Sequence, residues 1–147
     1  QMFMEYFPDS KRKTEAQLMI FGLQDKLVMK DYLTAKLYYD LGTYTGNASW
    51  TADRRINGNN FLACITTAQN ALKDYPYTSM REEISILLLR AKYKLGSESV
   101  LEKKEERMRE TIDEYYAFKN EFPESKYMKE VETIYKDASK YVKELNE

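Results

Sequence analysis

An all-α fold of stacked helix pairs is what this 147-residue chain predicts, and three observations predict it. Glycine and proline together number only 8 while 32% of residues are charged, a composition of long solvated helices rather than of a turn-rich sheet protein. Apolar residues recur at i, i+3 and i+4 in segment after segment. Three similar marks punctuate the chain: Phe7-Pro8-Asp9-Ser10, Tyr75-Pro76-Tyr77-Thr78-Ser79 and Phe122-Pro123-Glu124-Ser125. Proline cannot continue a helix and pushes the residue before it to extended geometry. The Ser or Thr that follows can cap the next helix. Each mark therefore reads as the end of one helix and the start of another, with Ser79 and Glu82 at capping-box spacing.

The elements follow in order. A long helix runs over 10–42, with Ala16, Ile20, Leu23 and Leu27 on one apolar stripe and Val28, Tyr32, Ala35 and Tyr39 on a second. Gly42 stops it, and Gly22 and the change of stripe allow a bend. Residues 43–60, rich in Gly, Asn, Ser and Thr, form an insertion loop. A repeat helix covers 61–76, with Ile65, Ala68, Ala71 and Leu72 inward. A second expanded repeat covers 79–123. Its first helix turns Ile84, Leu87, Leu88, Ala91 and Leu95 inward. Residues 97–110 carry nine charges, five acidic and four basic, and read as a solvated helical extension with Glu105 and Arg109 at i, i+4. Apolar residues return at Ile112, Tyr115, Tyr116 and Phe118. A capping helix over 125–147 places Tyr127, Val131, Ile134, Ala138, Tyr141 and Leu145 on one face and Lys and Glu on the other.

Composition also excludes functions. The formal net charge is −1 and no basic block exists, which removes the electrostatic case for nucleic acid. Without histidine there is no His-based triad, metal site or pH switch. The single Cys64 excludes an intrachain disulfide and reads as a structural cysteine. No glycine-rich phosphate loop, nucleophile elbow or metal spacing is present, so no catalysis and no cofactor are expected. No apolar run reaches the length of a membrane span. The opening Gln1-Met2-Phe3-Met4 reads as the interior of a longer chain.

The helix pairs repeat. Ala35-x-x-Tyr38-Tyr39-x-Leu41-Gly42 resembles the end of the first helix of a tetratricopeptide repeat, and Phe61, Cys64, Ala68, Ala71, Leu72 and Pro76 resemble its second. Ala91-x-Tyr93-x-Leu95-Gly96, with Tyr115, Phe118 and Pro123, is a second copy. The two copies exceed the standard length by 17 and 10 residues, both between the helices of a pair, where an insertion leaves the stacking faces intact. The expected architecture is a tetratricopeptide-type helical solenoid segment with a long opening helix, long inter-helix insertions and a C-terminal capping helix.

Phe7-Pro8-Asp9-Ser10, then Leu23-x-Asp25-Lys26-Leu27-x-x-x-Asp31-Tyr32-x-x-Ala35-x-x-Tyr38-Tyr39-x-x-Gly42, then Ala68-x-x-Ala71-Leu72-x-x-Tyr75-Pro76, together resemble the BamD family of outer-membrane protein assembly lipoproteins, here its C-terminal half. The likeness covers roughly residues 6–96 and weakly the rest. It implies a non-catalytic scaffold at the periplasmic face of the outer membrane, held there by a lipid anchor that this chain lacks. It also implies the partners: the POTRA domains of a BamA-type insertase and other lipoproteins of the assembly complex. Two departures stand out. The 17-residue insertion is outside the common pattern, and Leu41 stands where the family often has a basic residue, so no partner salt bridge is carried over at that position.

Partner-binding candidates gather at the helix–loop junction: Tyr39, Asp40, Tyr44, Trp50, Arg54 and Arg55. An aromatic beside cations has the composition of an interface hot spot, although Trp50 could equally fold back as the loop's own small core. Most of the 13 tyrosines sit at helical spacing and read as packing residues with the hydroxyl at the rim. Two other readings remain: an envelope tetratricopeptide adaptor that binds a peptide, and a fragment of a SusD-like glycan-binding lipoprotein.

Overall fold

The computed structural model describes residues 11–42 and 60–146, which form five helices and no strand. They are α1 (Lys11–Leu41), α2 (Asn60–Asp74), α3 (Arg81–Ser97), α4 (Leu101–Glu121) and α5 (Met128–Asn146). Of the expected insertion loop, only Asn60 is described, and it opens α2. No helix among the described residues is long and apolar enough to cross a membrane.

Helix ends follow local chemistry. Gly42 closes α1 at φ +54°, the left-handed region where a Cβ is costly, and a Cβ there would also stand 3.0 Å from the Phe61 ring. The Gly42 amide donates to the Tyr38 carbonyl at 3.0 Å, and the Asn60 amide donates to the Gly42 carbonyl at 3.1 Å. The two ends of the insertion are thus tied together. At the two described proline marks the same turn recurs. Thr78 Oγ1 accepts from the Met80 amide (3.2 Å), and Ser125 Oγ accepts from the Tyr127 amide (3.1 Å). The capping box expected of Ser79 and Glu82 is absent, and Met80 holds the cap position without a side-chain bond. Thr78 has already engaged that turn, and Glu82 accepts the Ser125 hydroxyl instead.

The charged run corrects the expectation of a helical extension. α3 stops at Ser97, the chain turns over 98–100, and the run becomes the first half of α4. Hydroxyls end α3: Ser97 Oγ donates to the Tyr93 carbonyl at 2.9 Å and Ser99 Oγ donates to that of Leu95. The extra residues of this repeat therefore lengthen a helix to 21 residues rather than forming a loop. Gly96 lets α4 approach, since a Cβ there would meet Met108 Sδ at 3.2 Å.

Packing proceeds neighbour by neighbour. Each helix packs on the next, α1 also meets α3, α3 also meets α5, and α2 and α4 do not touch. Odd-numbered helices thus form one layer and even-numbered helices the other. Cross-helix partners give the directions. Arg81 pairs with Glu121 and Lys92 with Glu114, so α3 and α4 are antiparallel. Tyr127 donates to Glu83, Arg90 to Glu130 and Tyr93 to Asp137, so α3 and α5 run parallel.

α3 is the centre. Six consecutive residues, Ile84 to Leu89, are buried because helices lie on every side of it. Ile84, Leu87, Leu88, Ala91 and Leu95 join Val28, Ala35, Cys64, Ala68 and Ala71 in one cluster. Ile86 and Leu89 join Tyr115, Phe118, Val131 and Ile134 in another. The inward positions expected in α3 are buried; in α2 Ile65, Ala68 and Ala71 are buried and Leu72 half-buried; in α5 Val131, Ile134 and Ala138 are buried and Tyr127 and Tyr141 half-buried, while the side chain of Leu145 lies outside the described residues. The first stripe of α1 is not buried: Leu23 and Leu27 are exposed, while Val28 and Ala35 of the second stripe are buried. The reason is orientation: α2 and α3 cover the side of α1 that carries Val28 and Ala35, and Leu23 and Leu27 lie on the other side with Leu33 and Leu37, which are exposed as well.

Candidate functional site

Three helices from distant parts of the chain converge on one cleft of about 310 Å³. α1 contributes Tyr39, α3 contributes Arg90, Tyr93 and Lys94, and α5 contributes Glu130, Thr133, Ile134 and Asp137. All three belong to the odd-numbered layer, whose members lie side by side and so place corresponding turns next to one another.

Charge pairing holds the floor. Arg90 donates to Glu130 through both arms of its guanidinium, at 2.5 and 2.7 Å, and its plane lies 5.3 Å from the Tyr127 ring. The hydrogen bond from Arg90 lowers the Glu130 pKa below the ordinary glutamate value, against the opposing effect of burial. Tyr93 donates its hydroxyl to Asp137 at 3.0 Å. Burial, and then that bond, raise the Tyr93 pKa. Tyr39 stands edge-on to Phe61, ring centres 5.7 Å apart, and its pKa is raised chiefly by burial. The cleft thus offers an aromatic wall, the buried aliphatic Ile134, and Lys94 as an exposed cation at the rim. That mixture suits a polypeptide with apolar and charged groups in alternation better than a uniformly charged ligand.

Of the expected binding residues, the structure places Tyr39 in this cleft. Asp40 is exposed beside it and close enough to Cys64 to raise the thiol pKa. Burial is the larger cause, and together they push Cys64 up to about 12. Tyr44, Trp50, Arg54 and Arg55 lie outside the described residues. Because Gly42 and Asn60 are bonded, the insertion carrying those four leaves and rejoins the fold next to Tyr39 and Phe61.

Arg90, Glu130 and Asp137 escaped sequence reasoning as site residues, and Tyr93 was read as a packing tyrosine. A signal did exist. Arg90 and Asp137 are 47 residues apart, as are Pro76 and Pro123, and Tyr39 and Tyr93 each stand three residues before a glycine. Equivalent positions of stacked repeats face one surface, so the repeat register could have grouped them.

Among the other described tyrosines, Tyr32, Tyr38, Tyr75, Tyr115, Tyr127 and Tyr135 pack in or against the two clusters, whereas Tyr77 is fully exposed. Tyr115 is buried and stacks on Tyr135 with ring centres 4.3 Å apart, while Tyr116 and Tyr135 share a hydroxyl–hydroxyl bond of 3.1 Å at the surface. A wider depression of about 450 Å³ at the α4–α5 turn is lined by Glu82, Glu83, Phe122, Ser125 and Lys126. Its polar groups engage one another: Ser125 donates to Glu82, and Tyr127 donates to Glu83 at 2.7 Å. Among the described residues no group of three or more carboxylate or thiol side chains is placed to hold a metal ion.

No protein-family model matches the chain, and no curated protein matches it.

Proposed function

We propose that this protein is a tetratricopeptide-type solenoid segment that acts as a non-catalytic docking scaffold, and that it presents the α1–α3–α5 cleft and the adjoining insertion to a partner protein. One observation carries the reading: Tyr39, the junction residue singled out by sequence, is gathered with Arg90, Tyr93, Glu130 and Asp137 from two other helices into a single cleft. The groups of this cleft are held by mutual bonds rather than by a lever or a hinge, which suits rigid presentation. The resemblance to BamD supplies the partner, the periplasmic POTRA domains of a BamA-type insertase at the outer membrane.

The test is a binding titration of this chain against such a POTRA segment. The expected result is 1:1 binding in the micromolar range or tighter, weakened at least tenfold by Lys94→Glu at the rim and by the pair Trp50→Ala, Arg55→Ala in the insertion. No binding by a chain that is helical by circular dichroism overturns the partner. Binding unaltered by either variant overturns the surface. The mixed aromatic and aliphatic lining of the cleft also favours a second reading, an adaptor for an extended peptide. A short peptide that competes with the folded partner would point to that reading.

A further inference from the structure

Tyrosines from two helices form a closed aromatic triad where α4 meets α5. Tyr115 and Tyr116 come from α4 and Tyr135 from α5. Ring centres lie 4.3 Å apart for Tyr115 and Tyr135, 5.1 Å for Tyr115 and Tyr116, and 5.6 Å for Tyr116 and Tyr135. The three do not share one environment. Tyr115 is buried and stacks flat on Tyr135. Tyr116 is 48% exposed, and its hydroxyl meets that of Tyr135 at 3.1 Å with the rings inclined at 67°.

Packing accounts for the rings of Tyr115 and Tyr135, which sit in and against the second cluster. It does not account for the paired hydroxyls, and the docking cleft does not use them. What the pairing does is bring together two hydroxyl-bearing ring edges. The ring carbons beside a phenol oxygen are where phenoxyl radicals couple. In the coupled product, dityrosine, a new bond joins those carbons and the two hydroxyls lie side by side across it. The hydroxyl bond between Tyr116 and Tyr135 therefore holds the pair close to the product's arrangement. Tyr115 is not so placed, because its face rather than its edge meets Tyr135.

We propose that Tyr116 and Tyr135 are an oxidative cross-linking site, coupled to dityrosine by a haem peroxidase with hydrogen peroxide, and that the product staples α4 to α5. Each tyrosine gives up one electron and its phenolic proton. The two radicals join through their ortho carbons, and the hydrogen left on each coupling carbon moves to oxygen and restores the hydroxyl. The pair has then lost two electrons and two protons, which reduce one hydrogen peroxide to two waters. Electrostatics makes Tyr135 the readier donor. Its bond with Tyr116, then one with Ser139, lower its pKa against the effect of burial, and the Lys143 and Lys119 ammonium groups add to this. A phenolate is more easily oxidised than a phenol. Tyr116, half in solvent, is the ring that an external oxidant reaches. The new bond would close the α4–α5 turn into a covalent loop, as a disulfide does. The site does not depend on the docking reading above.

Treatment of the full chain with a haem peroxidase and hydrogen peroxide tests it, read by dityrosine emission and by mass spectrometry after trypsin. The expected product links peptide 110–119 to peptide 130–136 within one molecule, at a yield independent of protein concentration. Tyr116→Phe and Tyr135→Phe each lower that yield at least tenfold while keeping the rings that pack. Tyr115→Phe leaves it unchanged. Tyr77 is the internal control: at 93% exposure it is where coupling governed by accessibility alone would occur, joining separate molecules. Dityrosine mapped chiefly to Tyr77 overturns the proposal. So does a smaller loss in either the Tyr116 or the Tyr135 variant, a product lost with Tyr115→Phe, or no dityrosine under conditions that couple free tyrosine.

Discussion

Gly42 and Gly96 occupy equivalent places at the ends of α1 and α3, yet side chains at the two would meet different obstacles. At Gly42 an added methyl group faces both a left-handed backbone and the Phe61 ring, whereas at Gly96 it presses on the flexible Met108 side chain and meets the Arg107 backbone only at ordinary contact distance. Gly42→Ala should cost about 1 kcal/mol or more, and Gly96→Ala should stay within about 0.5 kcal/mol of wild type because better helix propensity offsets the tighter contact. Urea melts of the two variants check this. Cys64, with its thiol pushed up to about 12 by burial and by Asp40, should resist alkylation at neutral pH. Its reaction rate with iodoacetamide should rise only as denaturant unfolds the chain. The Arg90–Glu130 pair adds an acid-side dependence. The Glu130 pKa is lowered in the fold, so its stabilisation is complete above the ordinary glutamate value and is lost as pH falls through the lowered one. Both partners are about a third exposed, so the contribution is at most about 1 kcal/mol. Glu130→Gln should remove that part of the acid slope and leave stability at alkaline pH dependent on other groups.

At the scale of the element, α4 divides cleanly into a wet face and a dry one. Glu105 and Arg109 form an i, i+4 pair at 2.7 Å on the exposed side, whereas Met108, Tyr115 and Phe118 are buried. Glu105→Ala should cost no more than about 0.5 kcal/mol. Met108→Ala should cost about 2–5 kcal/mol and Phe118→Ala about 3–5 kcal/mol, read as shifts in the thermal midpoint. Periodicity located this dry face well. The start of the helix escaped it, because a run of alternating charges continues a helical pattern through the turn at 98–100 without marking it. The Leu23 and Leu27 stripe of α1 escaped in the opposite way: its spacing shows an apolar face, and spacing says nothing of which face of the helix a neighbour packs on.

At the scale of the whole molecule, α3 lends one side to the α1–α2 cluster and the other to the α4–α5 cluster. Neither cluster can lose its central helix alone. Unfolding by urea should therefore be a single transition, with circular dichroism and tyrosine fluorescence coincident. Two separated transitions would show that the clusters come apart independently.

The linear chain was enough to establish an all-α fold, the helix boundaries at Pro76 and Pro123, most inward positions of α2, α3 and α5, and the burial of Cys64. All of these rest on interactions a few residues long, which periodicity, capping and turn chemistry record directly. The cleft needed the fold. Arg90 and Glu130 are 40 residues apart and meet because α3 and α5 lie parallel in one layer. The exposed face of α1 needed it too, since which side of α1 meets α2 and α3 is a matter of placement. Neither is written in any local run of residues; both follow from how the helices stack.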